Sequence, residues 1–418
     1  MRYHLSKFGQ KLGGPCGIQE LMDDLGKAMT TEPGMRMLGG GNPAHIPAVQ
    51  EIWRARMQEL LDDGGAFDRM LANYDPPRGN PAFLEALSQC LNTTCGWNIT
   101  PQHLAVTPGG QAAWFMLFNM LAGEQNDGAH RKILLPLVPE YIGYENQGLD
   151  EGFFTACRPR IEQLPGNEFK YHVDFSAVEA ALDPSIAALC VSRPTNPSGN
   201  VLTDDEVAHL AKLAAQRGIP LLLDNAYGVP FPGAIYTPAT PVWNENIILT
   251  LSLSKLGLPG TRTGIVVARP EIAQAIQAMT SVIGLANTNI GQTLVLPLLR
   301  DGEIIRVSRE VVRPFYEERA KRALGWVRES FAGLPWAAHR PEGAFFLWLH
   351  FAGLPIPTRE LYQRLKKRKV LIVPGEYFFF GADRDWAHAR ECIRMTFSQP
   401  EEIVREGIAI IADEVRKL

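Results

Sequence analysis

Five short runs of Ile, Val and Leu constrain this chain more than any other feature. They are "RKILLP", "AALCVS", "IPLLLDNAY", "NIILTLS" and "GIVVA". Each is brief, apolar and rich in branched residues, which suits strands of a sheet covered on both faces. A sixth stretch, "HLAVTPGGQAAWFMLFNMLAG", reads as a short strand, a glycine turn and a helix. Helical patterns separate these runs. In "TDDEVAHLAKLAAQRG", Thr203 takes the N-cap position and Glu206 the capping-box position. "PAFLEALSQCLNTTCG" has Pro near its start and Gly after its end, as helices prefer. Strands alternating with helices predict an α/β fold with a mostly parallel sheet.

The chain has 418 residues, enough for two to three domains by the usual prior of roughly 150 residues each. Residues 1–45 read as an irregular N-terminal arm. Within it, "GQKLGGPCGIQELM" is Gly-rich and then apolar at helical spacing, and "MLGGGNPAHIP" is a second turn cluster. "GQKLGGPCG" lacks the Lys-Ser/Thr ending of a phosphate-binding P-loop and reads as a mobile segment. Residues 46–310 form the expected large domain and 311–418 a smaller α/β domain, with strands at "GAFFLWL", "VLIVPG" and "CIRMTFS". A long helical stretch from about residue 291 to about residue 332 crosses that boundary.

Composition excludes several classes. The formal net charge is -4 and the basic residues are scattered, so a nucleic-acid partner is not expected. No uninterrupted apolar run reaches the ~18 residues needed to span a membrane. "MRYHLSKFGQKLGG" has no apolar core of signal-peptide type. The six cysteines form no CxxC, which favours reduced, buried thiols and a cytoplasmic location. The nine histidines are isolated, without HxH or HExxH, so no metal site is expected.

Ligands of a parallel α/β sheet bind beyond the carboxyl ends of its strands. The residues following each strand are therefore the candidates. "AVTPGGQAAW" supplies Gly109, Gly110 and Gln111 before a helix, and "CVSRPTNPSGN" supplies Asn196. "LLLDNAYG" supplies Asp224 and Tyr227. "LTLSLSK" supplies Ser252, Ser254 and Lys255, with Arg262 after the turn. A lysine at the end of a buried strand must be paired, shifted in pKa or covalently used, because desolvating an ammonium is costly. Taken alone, a Gly-Gly turn is only a turn and a strand-end Asp only a cap. Tyr74 and Tyr141 alone read as packing aromatics, and Arg394 in "IRMTFS" as a strand residue.

Together, "TNPSG", "DNAY", "SLSKLGLPGTRTG", "YDPPRGNPAFLEAL", "PEYIGY" and "IRMTFS" resemble the fold-type I aminotransferases, which use pyridoxal 5′-phosphate. The likeness runs from "LGGGNP" to Arg394, nearly the whole chain. It implies a large domain with a mostly parallel sheet between helices, plus a smaller α/β C-terminal domain. It implies that Lys255 binds the cofactor covalently and acts as general base and acid, and that Asp224 faces the pyridine nitrogen. Asn196 and Tyr227 would hydrogen-bond the ring oxygen, and Tyr141 would stack on the ring. Gly109, Gly110, Gln111, Ser252, Ser254 and Arg262 would hold the phosphate. Many relatives have one more residue between the lysine and this arginine. Tyr74 would reach the phosphate of a neighbouring subunit, so a homodimer is implied. Arg394, with Gly40 and Asn196, would bind the substrate α-carboxylate. Substrates would be amino acids and 2-oxo acids. Small aliphatic donors such as valine, with pyruvate as acceptor, follow from the likeness and from the lack of a motif placing a third cation in the pocket.

Rivals on the same scaffold are a transaminase of aromatic or broad specificity and a carbon–sulfur lyase. Ser252-x-x-Lys255 is also the nucleophile motif of penicillin-recognising enzymes, but its SDN-type and KTG-type partners are missing. A ligand-sensing regulator of this fold would carry a fused helix-turn-helix segment, which about 45 irregular residues do not supply. Ile18, Leu38 and the run Tyr377–Phe380 are expected to line an apolar pocket.

Overall fold

The six apolar runs pair side by side in one sheet. The structure, a computed structural model, describes residues 4–14, 16–30, 34–383 and 385–418. Residues 1–3 of the N-terminal reading and Pro15 of "GGPCG" lie outside the described residues. The strand order is Leu104–Thr107, Gly264–Val267, Ile247–Ser252, Leu221–Asp224, Ile186–Ser192, His130–Leu135 and Gly123–Glu124, with Phe154–Ala156 also pairing His130–Leu135. Pairing is parallel from Ile247–Ser252 through His130–Leu135, and antiparallel on both sides of Gly264–Val267.

Every residue of the strands Leu104–Thr107, Ile186–Ser192, Leu221–Asp224, Ile247–Ser252 and Gly264–Val267 is buried. Both faces of the sheet are therefore covered, which is why these strands read as continuous apolar runs. Each fully buried Val, Leu or Ile contributes about 1.5–3 kcal/mol of transfer free energy. The helix Gly110–Leu121 packs on the sheet through Ala113, Trp114, Met116, Leu117 and Phe118. Thr203 and Glu206 form the expected capping box, and Gly96 ends the helix Pro81–Cys95 in the left-handed conformation.

A second sheet of six strands runs Val373–Pro374, Cys392–Thr396, Phe346–His350, Ala337–His339, Glu168–His172 and Arg160–Leu164. Its last two strands come from the middle of the chain and join C-terminal strands through a parallel pairing at Ala337–His339. Arg36–Met37 pairs with Val370–Leu371.

Two stretches differ from expectation. The N-terminal segment is helical at Lys7–Leu12 and Gly17–Thr30 instead of irregular. Ser6 caps the first of these helices through its side chain, which outweighs the glycines nearby. The long helical stretch is interrupted at Asp301 and Gly302, where Gly302 has φ +76° and divides Ile290–Arg300 from Glu303–Val307. Among the described residues, no helix is long and apolar enough to cross a membrane, and no cluster of His, Cys, Asp and Glu has metal-ligand geometry.

Candidate active site

Strand register sets out the site. Asp224 lies opposite Ser192 on one side and Thr250 on the other, and Ser252 lies opposite Gly264, which faces Thr107. Four strands therefore stop along one edge, and their following residues line a cavity of about 420 Å³. That is ordinary small-molecule size. The wall includes Gly40, Gly110, Gln111, Tyr141, Asn196 and Asp224, and also Tyr227, Ser252, Ser254, Lys255, Arg262 and Arg394.

At one part of the wall the chain leaves room for an anion. Gly109 has φ +89° and caps the helix Gly110–Leu121; the Ala112 and Ala113 amides bond the Gly109 carbonyl, which leaves those of Gly110 and Gln111 to face an anion. A Cβ on Gly109 would come within 2.1 Å of Arg262 Nη2, so only glycine lets the guanidinium stand against this turn. Gly264 does the same from the neighbouring strand, where a Cβ would lie 2.7 Å from the Gly110 nitrogen. The Ser254 amide donates to Ser252 Oγ at 3.1 Å, which turns the chain toward Lys255.

Asp224 is buried. It accepts hydrogen bonds from the Ala226 amide at 2.9 Å, from Thr250 Oγ1 at 3.3 Å and from the Tyr144 hydroxyl. Burial pushes its carboxyl up, and these donors, Tyr144 foremost among them, pull it back. Lys255 Nζ donates to the Gly41 carbonyl at 2.8 Å and lies 5.0 Å from the centre of the Tyr227 ring. Burial first, then the positive charges of Arg394 and Arg262, bring its ammonium down to about 8, against the pull of Asp224. A lysine so placed holds or gives up a proton near neutrality.

Arg394 is 3% exposed. Its Nη1 donates to Asn196 Oδ1 at 2.7 Å and its Nη2 to the Gly39 carbonyl at 2.7 Å. Its guanidinium lies 4.3 Å from the Phe346 ring centre, and its buried Nε has no partner within the described residues. Burial lowers it to about 10. Burial also raises the phenols of Tyr141 and Tyr227, so both stay neutral donors.

Some expectations fail here. Leu38 is fully buried in the core and not at the cavity; Met37 is at the wall. The run Tyr377–Phe380 does not line the cavity either. Tyr377 donates to Glu20 at 2.9 Å, and Phe378 faces Arg394 at 5.4 Å. Ile18 is at the wall, joined by Leu21 and Met22 from the same N-terminal helix. Tyr74, expected at a neighbouring subunit's phosphate and not at its own, lies outside this cavity and is 82% exposed. The sequence reading missed Tyr144 and Trp114. Tyr144 sits one helical turn after Tyr141 in "PEYIGY", the one local signal that pointed to it.

The donors present fit pyridoxal 5′-phosphate. They offer an amide and guanidinium cradle for an anion, a buried carboxylate, hydroxyl and amide donors, and an amine poised near neutrality. A buried guanidinium nitrogen without a partner, in a cavity of this size, also has a place for a substrate carboxylate. Such a cradle, carboxylate and amine at the carboxyl edge of one sheet define a pyridoxal-phosphate enzyme. The chain belongs to the aminotransferases of class I and II, whose family model matches residues 39–411. It is 47% identical to the valine–pyruvate aminotransferase of Escherichia coli (strain K12) over 412 residues, 99% of this chain and 98% of that one. A crystal structure of valine–pyruvate aminotransferase from Salmonella typhimurium LT2 superposes with a TM-score of 0.88 at 45% identity, covering 96% of this chain and 99% of that one. A crystal structure from Psychrobacter arcticum 273-4 gives a TM-score of 0.97 at 44% identity, covering 100% and 99% of the two chains. The protein is a pyridoxal-phosphate-dependent aminotransferase.

Proposed function

We propose that this enzyme moves the amino group between valine and pyruvate, giving 3-methyl-2-oxobutanoate and alanine. The observation that carries the reading is full-length 47% identity to the Escherichia coli valine–pyruvate enzyme. The pocket chemistry supports it. Lys255, Arg262 and Arg394 are the cations among the described wall residues, and each has a use other than a side-chain carboxylate. Ile18, Leu21 and Met22 add an apolar roof. A branched side chain gains about 1.5–3 kcal/mol on entering such a place.

Bound pyridoxal phosphate supplies an electron sink for the pair released when the substrate Cα–H bond breaks. Gly109, Gly110, Gln111, Ser252, Ser254 and Arg262 would hold its phosphate. Asp224 would face the pyridine nitrogen and keep it protonated. Asn196 and Tyr227 would donate to the ring oxygen, and Tyr141 would cover the ring face. Lys255 Nζ would hold the cofactor and, freed by the substrate amine, would take the Cα proton as a neutral base. The same nitrogen, now protonated, would deliver that proton to the cofactor carbon C4′ within the same half-reaction, and the second half-reaction would run the transfer in reverse. Arg394 grips the α-carboxylate as a two-pronged donor, with Asn196 and the Gly40 backbone beside it.

The reading extends to a cytoplasmic homodimer in which Tyr74 contributes to the neighbouring site. Its exposure, and that of Val282, Ile283 and Leu285, supports a partner surface. Steady-state rates with a panel of amino donors against pyruvate test the substrate assignment. Sedimentation of the wild type beside Tyr74→Phe kinetics tests the assembly.

A further inference from the structure

Glu140, in "PEYIGY", has no part in the chemistry above, yet it is 1% exposed and lies at a junction of the site. Its Oε1 accepts from the Ser192 amide at 2.7 Å. Its Oε2 accepts from the Tyr141 amide at 3.0 Å and from the Ser192 hydroxyl. Its own amide donates to the Phe378 carbonyl at 2.9 Å. Each partner belongs to a different wall. Tyr141 is the ring-covering residue. Ser192 pairs with Asp224 in the sheet and leads through three residues to Asn196. Phe378 lies against the Arg394 guanidinium.

A carboxylate this buried is expensive, so a chain that only needed packing here would do better with an apolar residue. Three donors from Ser192 and Tyr141 converging on one carboxyl group offset that expense and tie the Tyr141 segment to the Ser192 strand end, while the Glu140 backbone amide holds Phe378. Burial still pushes Glu140 up to about 8, opposed by the Ser192 and Tyr141 donors.

We infer that Glu140 is a positioning residue, holding the Tyr141 backbone to the Ser192 strand end so that the tyrosine ring meets the cofactor face at a fixed height. It acts through Tyr141 and touches neither cofactor nor substrate. The inference does not depend on which amino acid is the donor.

The test is a double-mutant cycle read by cofactor binding. Apoenzyme is titrated with pyridoxal 5′-phosphate, and the dissociation constant is taken from quenching of tryptophan fluorescence. Four proteins are compared: wild type, Glu140→Ala, Tyr141→Ala and the double variant. Glu140→Ala should weaken binding about tenfold in the wild-type background and less than about threefold once the Tyr141 ring is gone, since residues acting through one another are not additive. Glu140→Gln keeps one accepting oxygen and should fall between wild type and Glu140→Ala. An equal factor in both backgrounds would overturn the inference, as would no change in affinity on either substitution. Where Glu140→Ala fails to fold, the same cycle with Glu140→Gln decides on the same criterion.

Discussion

Arg394 Nη1 donates to Asn196 Oδ1 at 2.7 Å across 198 residues of chain. With the Gly39 carbonyl on the other prong at 2.7 Å and Phe346 beneath, the guanidinium is oriented before substrate arrives. Arg394→Lys should therefore lower kcat/KM for every amino donor alike, by about a hundredfold, because an ammonium cannot reproduce the fork. Asn196→Ala should cost at least about tenfold by freeing one prong and removing a ring donor. Steady-state rates with valine, alanine and aspartate check both. A penalty confined to one donor would place Arg394 at the side chain instead.

Asp224 and its supporter Tyr144 should separate cleanly. Asp224→Ala removes the buried charge and should cost on the order of a thousandfold or more in kcat, since a preorganised charge in a dry site is worth several kcal/mol. Tyr144→Phe removes one of three donors and leaves the carboxylate in place, so the loss should be nearer tenfold. Single-turnover rates for the two variants give the comparison. Near-wild-type turnover in Asp224→Ala would reduce that residue to a strand-end cap.

Lys255 gives a pH prediction. Burial and the nearby arginines hold its ammonium at about 8 instead of the usual 10.5. Below pH 8 it is charged and unreactive, and above pH 8 it is a free amine. Labelling of cofactor-free protein by an amine-reactive ester, followed by peptide mass spectrometry, should show Lys255 modification rising through a midpoint near pH 8. Surface lysines should rise some two units higher. Arg394→Gln should move the Lys255 midpoint up by removing a like charge. A midpoint near 10 in the wild type would remove Lys255 from the role of neutral base.

Gly109→Ala tests the anion cradle. The added Cβ meets Arg262 Nη2 at 2.1 Å in a backbone conformation that alanine avoids. Phosphate affinity should fall at least tenfold, by about 1.4 kcal/mol or more. Isothermal titration of apoenzyme with pyridoxal 5′-phosphate reads it directly. Gly325→Ala, outside the cavity and with open space around its Cβ, is the control and should bind normally.

The strand-end chemistry was legible because each motif is local. "DNAY", "TNPSG" and "SLSK" put their polar residues just past apolar strands, and parallel pairing brings strand ends to one edge. Asn196 and Arg394 could be named, but not their mutual hydrogen bond, which depends on how two sheets meet. Tyr144 was missed because its partner Asp224 is 80 residues away, and its spacing from Tyr141 in "PEYIGY" does not by itself point to that pairing. The place of Arg160–Leu164 and Glu168–His172 beside C-terminal strands was hidden for the same reason, since edge pairing leaves no local pattern. The N-terminal helix Gly17–Thr30 was obscured by its glycines. Docking decided the matter: Asp24 accepts from Lys366 Nζ at 2.6 Å and from the Tyr362 hydroxyl.

The most direct test is the ratio of kcat/KM for L-valine to that for L-aspartate, with pyruvate as acceptor, coupled to the appearance of alanine. A pocket roofed by Ile18, Leu21 and Met22, whose three cations are otherwise engaged, predicts valine ahead by at least about a hundredfold, because an unpaired carboxylate there pays its own desolvation. Aspartate equal to or better than valine would contradict the account and require a cation facing the side chain.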